Sequence, residues 1–501
     1  MTDQDVDGSH IKGLIMNLFH SKYPNLIKNT FITCLLTPII KATKNKNIKS
    51  FYTLQDYDKW EKSNNTNGYK IKYYKGLGTS NTKEAKEYFK DMKLVTYNHS
   101  KNCDNKIDLA FNKKRANDRK DWLNNYNNEI LDMNKKEVSY GEFIDRELIQ
   151  FSRADNIRSI PKLEDGLKVS TRKILYACFK KNLFEEKNEM KVSQLSGYVS
   201  EHTEYHHGEV SLQGAIVNMA QDFIGSNNIP LLYPNGQFGT RLQGGKDNAS
   251  PRYIFTYCKN YIKNIFIQDD NYVLDYNIED GMKIEPKFYI PIIPMILVNG
   301  NEGIGTGWSS YIPKHNPNDI IDLLKFKLNN KNYKEIKPWY KGFKGKIIKT
   351  KDNEYMSVGL YKVVGNNKIQ VTELPIKKWT EDFKAFLDKL ILNKSEIIKS
   401  YVDNSDDKNV LFTIDFHNNK VDYLRTKSYL EGHIDGIENY LKLYDSKNTK
   451  YTNMHLINHD NKIVKYKNNY QIIDDFYNIR IEYYQKRKDY LIKKLEDELI
   501  L

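Results

Sequence analysis

Three aspartates occupy alternate positions near the start of the sequence, in the stretch DQDVDGSH. Asp3, Asp5 and Asp7 lead directly into Gly8. In an extended segment, side chains at alternate positions point to the same side. Three carboxylates on one side repel one another unless a cation neutralises them, and Mg²⁺ and Ca²⁺ prefer such oxygen ligands. The spacing therefore predicts a divalent-cation site, and a solvated acidic turn is the alternative.

The same stretch also matches the beginning of an EF-hand calcium loop, D-x-D-x-D-G. The twelfth position of that loop requires a glutamate, and this sequence has Leu14 there. We also expect no helix before Asp3. We therefore do not expect an EF-hand.

A second chemical possibility lies in the stretch NASPRYIFT, where Arg252 precedes Tyr253. A phenol that attacks a phosphodiester needs a cation on the non-bridging oxygens and a metal near the leaving oxygen. The neighbouring arginine would supply the first of these. The chain has 37 tyrosines, so ordinary packing is the alternative for any one of them.

Three further stretches could contact nucleic acid, and each has an ordinary structural alternative. Lys75 in YYKGLGTS could grip a phosphate or lie on the surface. His207, next to His206 in EYHHGEVSL, suits a hydrogen-bonding or phosphate-facing role better than metal chelation, and burial in the core is the alternative. Ile304, among the glycines of NGNEGIGTGWS, could wedge between bases or belong to the core.

Composition limits the class of protein. The 501 residues are 39% hydrophobic and carry a formal net charge of +14, which favours a globular protein with a polyanionic partner such as nucleic acid. AT-rich coding would also enrich lysine. The four cysteines show no CxxC spacing, no apolar run approaches the roughly 20 residues that span a bilayer, and no secretory signal is visible. We therefore expect an intracellular protein with no membrane partner.

Periodicity predicts a multidomain α/β and α+β protein. Residues 1–95 alternate helices and strands, with Thr79 or Ser80 as the N-cap of one helix, and residues 96–135 form a charged helical connector. Residues 136–265 are mostly helical, 266–465 are mixed α/β, and 466–501 form a long amphipathic helix. In GLKVSTRKILYACFKKNL, we expect a buried stripe of Ile174, Leu175, Cys178 and Phe179, with Arg172, Lys173, Lys180 and Lys181 available outside it.

Taken together, these stretches resemble the DNA cleavage–religation core of eukaryotic-type (type IIA) DNA topoisomerase II. Besides the stretches already quoted, LAFNKKRANDRKDWL, FSRADNIRSIPKLEDGLK, TELPIKKWT and EYYQKRKD resemble family signatures, in the right order along nearly the whole chain. The resemblance implies that 1–95 is the C-terminal part of a TOPRIM domain and 136–265 a winged-helix domain with the catalytic tyrosine. It also implies a tower domain over 266–465 and the start of the C-gate coiled coil over 466–501.

The resemblance also implies a role for each candidate residue. Tyr253 matches the nucleophile and Arg252 the residue that stabilises the scissile phosphate, while His207 and Arg158 match further phosphate-side residues. Asp3, Asp5 and Asp7 match the acidic triplet that binds Mg²⁺, with Asp3 and Asp5 preferred as direct ligands. The DNA-binding candidates are Lys75, Lys168, Arg172, Lys173 and Ile304. The segment GLKVSTRK departs from the family's more usual GFKPGQRK on both sides of Lys168, which itself matches the family pattern.

The implied function is ATP-hydrolysing double-strand passage by tyrosine transesterification, with Mg²⁺ at a two-metal site and double-stranded DNA as substrate. A homodimer is implied, in which each protomer's metal acts on its partner's tyrosine. The family's ATPase domain and the EGDSA segment, whose glutamate completes the metal site, are not in this sequence. We therefore expect a fragment or one piece of a split enzyme, with a separate ATPase and N-terminal TOPRIM polypeptide as partner and ATP used by the full enzyme only.

Two alternatives remain at this stage. The first is a fragment that binds and bends DNA without catalysis. The second is a decayed gene piece that does not fold well alone. The family implies the nucleus, and a large DNA virus as source would place the protein in a viral factory or the cytoplasm.

Overall fold

The computed structural model describes residues 2–500 except 46, 75–76, 134, 280, 330, 332–334, 446 and 448. The chain divides into two compact units. The first unit is Met1–Ser159 with Ile304–Ser309, and the second is Ile160–Gly303 with Ser310–Leu501. Within the described ranges, no helix combines the length and the apolar character that crossing a membrane requires.

The first unit alternates short strands with helices. Its helices are α1 (Val6–Lys22), α2 (Pro24–Lys28), α3 (Leu54–Ser63), α4 (Thr82–Lys90), α5 (Cys103–Phe111), α6 (Ala116–Asn124), α7 (Tyr140–Phe143) and α8 (Ile149–Ser159), with a π-helical turn at Ile144–Leu148 and 3₁₀ turns at Leu77–Thr79 and Lys113–Arg115. Its strands are β1 (Thr33–Leu35), β2 (Ile40–Lys44), β3 (Asn47–Phe51), β4 (Lys70–Tyr73), β5 (Leu94–Asn98) and β6 (Glu137–Ser139).

Two three-stranded sheets organise this unit. In the first, β5 lies in the middle, antiparallel to β1 and parallel to β6. In the second, β2 pairs antiparallel with both β3 and β4. Alternate residues of β2 face the interior, since Ile40 and Ala42 are fully buried against Phe51 and Trp60. A separate core around Tyr97, Phe143 and other apolar residues packs the first sheet against the helices.

The second unit has more elements. Its helices are α9 (Val169–Lys180), α10 (Val192–Thr203), α11 (Glu209–Ala220), α12 (Ile262–Ile265), α13 (Met295–Asn299), α14 (Pro317–Leu328), α15 (Thr380–Leu392), α16 (Lys420–Arg425), α17 (Gly436–Tyr440) and α18 (Asn469–Ile500), with 3₁₀ turns at Glu186–Asn188 and Gln268–Tyr272. Its strands are β7 (Met190–Lys191), β8 (Phe255–Thr256), β9 (Tyr276–Glu279), β10 (Met282–Pro286), β11 (Asn301–Ile304), β12 (Ser309–Ile312), β13 (Lys346–Lys351), β14 (Glu354–Val358), β15 (Leu360–Gly365), β16 (Lys368–Glu373), β17 (Ile398–Asp403), β18 (Phe412–Phe416), β19 (Ser428–Tyr429), β20 (Ile434–Asp435), β21 (Thr449–Lys450), β22 (Met454–Ile457) and β23 (Ile463–Tyr466). Strands β11 and β12 form a hairpin whose residues 304–309 are assigned to the first unit.

The largest sheet of the second unit is antiparallel, in the order β15-β16-β18-β17. Its inner face is apolar: Ile369, Val371, Phe412 and Ile414 are fully buried, and α15 contributes Phe383 to the same core. A second, larger core gathers α9, α10, α11 and the N-terminal half of α18. The first three of these helices, with the short pair β7–β8, form the frame that carries Tyr253.

The expected multidomain α/β and α+β organisation is confirmed, and so is a long C-terminal helix. The expected boundaries between the five segments stay predictions. One detail is wrong. Helix α4 is capped by Asn81 rather than by Thr79 or Ser80, because the Asn81 side chain accepts from the backbone N–H of Glu84 and the Glu84 carboxylate accepts from that of Asn81.

Candidate active site

Tyr253 lies on a turn that the backbone holds from two sides. The first two N–H groups of α10 donate to this turn, Val192 to the carbonyl of Ile254 at 3.0 Å and Ser193 to that of Pro251 at 3.1 Å. Ile254 is buried and anchors the turn, whereas the Tyr253 side chain is 66% exposed. A rigid backbone therefore presents an accessible phenol.

Arg252 stands directly beside this phenol. Its guanidinium carbon lies 4.9 Å from the centroid of the Tyr253 ring, and the Arg252 side chain is exposed. The next residues are fixed as well, since Phe255 and Asn235 exchange backbone hydrogen bonds of 2.9 and 3.1 Å. Gly236 allows this approach, because it has a φ of +112° and a Cβ there would lie 2.9 Å from the Ile254 side chain. The pair can thus place a hydroxyl and a cation on one anionic group.

The acidic stretch at the start of the chain does not form the extended segment that the alternation predicts. Helix α1 begins at Val6, so Asp5 is its N-cap and accepts from the Gly8 N–H at 2.6 Å, while Asp7 lies in the first helical turn. Gly8 is required here, because a Cβ would lie 2.0 Å from the Asp3 carbonyl oxygen. Asp7 therefore lies within a helix, whereas Asp3 and Asp5 precede it.

Asp7 is paired with a cation within the same unit. Arg158 donates to both Asp7 oxygens at 2.9 and 3.2 Å and lies 3.4 Å from Asp155. The Arg158 guanidinium also stands 5.3 Å from the centroid of Phe151, whose ring stacks on His10 at 3.9 Å. Burial lowers the pKa of His10, although Asp155 and Asp7 act against it. Arg158 is therefore positioned by the acidic stretch.

The donor set for a cation is consequently smaller than three carboxylates. Among the residues that the structure describes, no group of three His, Cys, Asp or Glu side chains gathers closely enough to hold a metal ion. Asp3 and Asp5 are both exposed carboxylates. Mg²⁺ commonly binds through one or two carboxylates and keeps several waters, so this pair fits Mg²⁺ as a partial site.

The two adjacent histidines are both on the surface, so the core alternative is wrong for each. They lie in the loop between α10 and α11, and both are exposed. His206 contacts the Glu279 carboxylate at 2.7 Å. His207 packs edge-on against Tyr205, with ring centroids 5.4 Å apart. Of the two, His206 is the one that pairs with Glu279.

The expectation that Arg172 and Lys173 are available outside the buried stripe of α9 is wrong. Their exposed fractions are 4% and 7%. Arg172 forms a two-pronged ion pair with Asp165, at 2.7 and 3.0 Å, and Lys173 pairs with Glu285 at 3.0 Å. Both cations are neutralised inside the unit, which argues against direct contacts with a DNA backbone. Lys180 and Lys181 are exposed as expected, and Ile174, Leu175 and Cys178 are fully buried, whereas Phe179, expected in the same stripe, is only half-buried against that core.

Lys168 contacts one residue that the sequence did not single out, Glu302. The Lys168 ammonium donates to the Glu302 carbonyl at 2.5 Å, and burial lowers the pKa of Lys168. The Glu302 carboxylate pairs with Lys377. Ile304, two positions further along the chain, is 84% exposed, so the core alternative is wrong for it. Lys75, the remaining DNA-binding candidate, lies outside the described residues.

His10 is a second residue that the sequence did not single out. It follows Asp7 by three positions, which is one helical turn, and a helix beginning at Val6 would have placed it beside the acidic stretch. Arg158, Asp7 and His10 belong to the first unit, while Arg252, Tyr253 and His207 belong to the second.

Comparison with known proteins identifies relatives over the whole chain. Residues 158–501 match the family model that describes the A subunit of DNA gyrase/topoisomerase IV, and residues 35–156 match the C-terminal associated domain of TOPRIM. The chain is 46% identical over 506 residues to the DNA topoisomerase 2 of Plasmodium falciparum, covering 99% of this chain and 35% of the relative. It is 47% identical over 510 residues to a mitochondrial DNA topoisomerase 2 of Dictyostelium discoideum, covering 100% of this chain and 38% of the relative.

A solved structure is also similar. The crystal structure of the Plasmodium falciparum topoisomerase II DNA-binding, cleavage and re-ligation domain matches with a TM-score of 0.84 and 46% identity, covering 99% of this chain and 67% of that one. The chain thus spans little more than a third of the two curated relatives.

Proposed function

This chain belongs to the type II DNA topoisomerase family, and from that membership we propose that it is the DNA cleavage and religation part of an enzyme that changes DNA topology. The observation that carries the proposal is the exposed Tyr253, held on a rigid turn with the Arg252 guanidinium 4.9 Å from its ring. A nucleophile and a charge-stabilising cation are the two groups that a transesterification at phosphorus needs most.

The proposed chemistry exchanges one phosphodiester for another. The Tyr253 oxygen attacks a DNA phosphorus, the phenolic proton leaves, and a P–O bond to the sugar breaks while the sugar oxygen gains a proton. Religation is the reverse, with the sugar hydroxyl attacking the phosphotyrosine. Because the ester bond is conserved, neither step consumes a cofactor. Arg252 stabilises the charge on the non-bridging oxygens, and His207 and Arg158 are proposed as further phosphate-side residues.

The family uses Mg²⁺ and ATP, and we propose how this chain relates to each. Asp3 and Asp5 would hold Mg²⁺, which when bound supplies positive charge near the phosphate and sugar oxygens. Asp7 would act through its ion pair with Arg158, which orients that guanidinium. ATP use is assigned to parts of the relatives that this chain does not match.

Double-stranded DNA is the proposed substrate and a homodimer the proposed assembly. Lys168 and Ile304 are the proposed DNA-side residues among those described. We place the protein in the nucleus, following eukaryotic topoisomerase 2 in general, although one similar relative is mitochondrial by name.

A DNA-binding and bending fragment without catalysis is the second candidate. The exposed Ile304 favours it, because an apolar side chain 84% exposed on a hairpin is suited to wedging between bases. The partial carboxylate set also favours it for the chain by itself. This candidate predicts DNA bending that persists in Tyr253→Phe and without Mg²⁺.

A chimera separates the two candidates. This chain would replace the matching region of the Plasmodium falciparum DNA topoisomerase 2, so that the rest of the enzyme is supplied. With ATP and Mg²⁺ we expect relaxation of supercoiled plasmid. We expect Tyr253→Phe to abolish it, while the control Tyr423→Phe, which also removes an exposed phenol, has no effect. A chimera that bends DNA but relaxes none would support the second candidate.

A further inference from the structure

Two adjoining cavities in the second unit are lined by lysines that the proposed chemistry does not use. Their volumes are about 290 and 620 Å³, and they share Tyr311 and Lys377. We call the combined space the lysine pocket. Its lysines are Lys314, Lys377, Lys378, Lys442, Lys447 and Lys450.

Two of these lysines are partly buried and donate hydrogen bonds to backbone carbonyls, and the Lys378 ammonium also lies 5.0 Å from the centroid of the Phe386 ring. The Lys314 ammonium donates to the carbonyls of Gly225, at 2.8 Å, and Ser226. The Lys378 ammonium donates to the Lys442 carbonyl at 2.9 Å. Over the described part of the chain, neither ammonium has a carboxylate within ion-pair distance. Burial lowers the pKa of each to about 8, because desolvation disfavours an ammonium that lacks a counter-charge.

The carboxylates around the pocket do not balance its positive charge. Among the residues that the structure describes, six lysines line it, against the three carboxylates of Glu302, Asp382 and Asp445. Glu302 is already paired with Lys377. Lys450 pairs with a carboxylate outside the lining, that of Glu354, at 3.1 Å. An excess of ammonium groups therefore surrounds the cavity.

The backbone also holds two of the lysines in an unfavourable conformation. Lys377 has a φ of +67° and Lys442 a φ of +54°, in the left-handed region that residues with a Cβ seldom adopt. The two residues come from different turns, one before α15 and one after α17. Both turns direct lysines toward the same cavity, and the surrounding packing must compensate for the conformational cost of these backbone angles.

We propose that the lysine pocket binds a small inorganic anion that carries phosphate groups. Several convergent ammonium donors suit the multiple oxygens and charges of phosphate. Duplex DNA cannot enter a cavity of about 290 Å³, so the recessed Lys314 is suited to a small ligand. The bound anion supplies a counter-charge to Lys314 and Lys378, which offsets the free-energy cost of their desolvation. Binding therefore stabilises the second unit.

Calorimetric titration of the purified chain with tripolyphosphate tests this proposal. It is run at constant ionic strength, without DNA or Mg²⁺. At pH 7 we expect one saturable site. Lys377→Gln and Lys378→Gln each weaken it by about tenfold or more, because each removes a charge-assisted hydrogen bond. The control Lys399→Gln removes a lysine that is exposed on β17 and leaves binding unchanged.

Two further measurements make the test independent of any one variant. Tripolyphosphate raises the unfolding temperature of the natural chain, and Lys314→Met removes that rise. Binding also weakens between pH 7 and 9.5, as Lys314, facing Lys377 and Glu302, and Lys378, facing Lys442 and Asp382, lose their protons.

Three results would overturn the proposal. The first is no saturable binding. The second is an equal loss of affinity in Lys399→Gln and Lys377→Gln, which would mean diffuse attraction to a basic surface. The third is binding of a short duplex that depends on Lys377 and Lys378 with no response to tripolyphosphate, which would assign these lysines to the DNA backbone.

Discussion

Replacing Arg172 by leucine should destabilise the second unit without changing the DNA affinity of the folded protein. The guanidinium makes three hydrogen bonds, two to Asp165 at 2.7 and 3.0 Å and one to the Leu167 carbonyl at 2.9 Å. Both side chains are buried. Within the described part of the chain, Arg172→Leu therefore leaves the Asp165 carboxylate with the backbone N–H groups of Leu167 and Tyr289 as its donors, each at 2.9 Å.

The expected loss of stability follows from the buried Asp165 carboxylate that no longer has a cation beside it. Removing one partner of a buried ion pair costs about 3–5 kcal/mol, mostly because the other charge remains desolvated. Stability is measured by equilibrium unfolding in urea. DNA affinity is measured separately without urea, where the natural chain and Arg172→Leu are both folded. The comparison protein is Lys180→Gln with Lys181→Gln. Both of these lysines are exposed, so we expect a stability change within about 0.5 kcal/mol and a weaker salt dependence of DNA binding.

Two outcomes would refute this reasoning. A stability loss below about 1 kcal/mol would show that the buried pair does not carry the cost that its geometry implies. A large loss of DNA affinity in a fully folded Arg172→Leu protein would show that Arg172 does contact DNA.

Three further predictions follow from single residues. Ile304→Ala should leave stability within about 0.5 kcal/mol, because the side chain is 84% exposed, and should reduce DNA bending measured by energy transfer between labelled duplex ends. Gly244→Ala should cost more than about 1 kcal/mol in urea unfolding, since φ is +65° and the new Cβ would lie 2.2 Å from the Trp379 ring; a neutral result would mean that the loop can move away. Burial lowers the pKa of His315 to about 4, so the unfolded chain takes up a proton at a higher pH than the folded chain does. Between pH 6.5 and 4, the free energy of unfolding should therefore fall by about 3 kcal/mol more in the natural chain than in His315→Gln.

The sequence predicted the helices and their apolar faces better than it predicted which charged side chains are buried. In α9 the spacing of Ile174, Leu175 and Cys178 placed a buried stripe correctly, because apolar periodicity reports directly on helix burial. It placed Arg172 and Lys173 outside that stripe, because periodicity treats a cation as a solvent-facing group. Asp165 precedes Arg172 by seven residues and lies before α9, and Glu285 lies 112 residues after Lys173, so the helical periodicity of α9 itself signals neither ion pair.

The acidic stretch shows a related limit. Alternating aspartates suggest one face only if the backbone is extended, and the start of α1 at Val6 removes that condition. The pairing of Asp7 with Arg158, 151 residues away, depends on the packing of α1 and α8, which periodicity cannot supply. The exposure of Tyr253 and Ile304 likewise follows from tertiary structure, since neither stretch excludes burial.

The identity of the residue that becomes linked to DNA tests the central claim most directly. The chimera would be incubated with duplex DNA and Mg²⁺, denatured rapidly, and digested with nuclease and protease. Mass spectrometry would then locate the peptide that carries a nucleotide remnant. We expect a phosphotyrosine at Tyr253, and none in Tyr253→Phe. A remnant on another residue, or an equal yield of linked DNA in Tyr253→Phe, would contradict the proposed function.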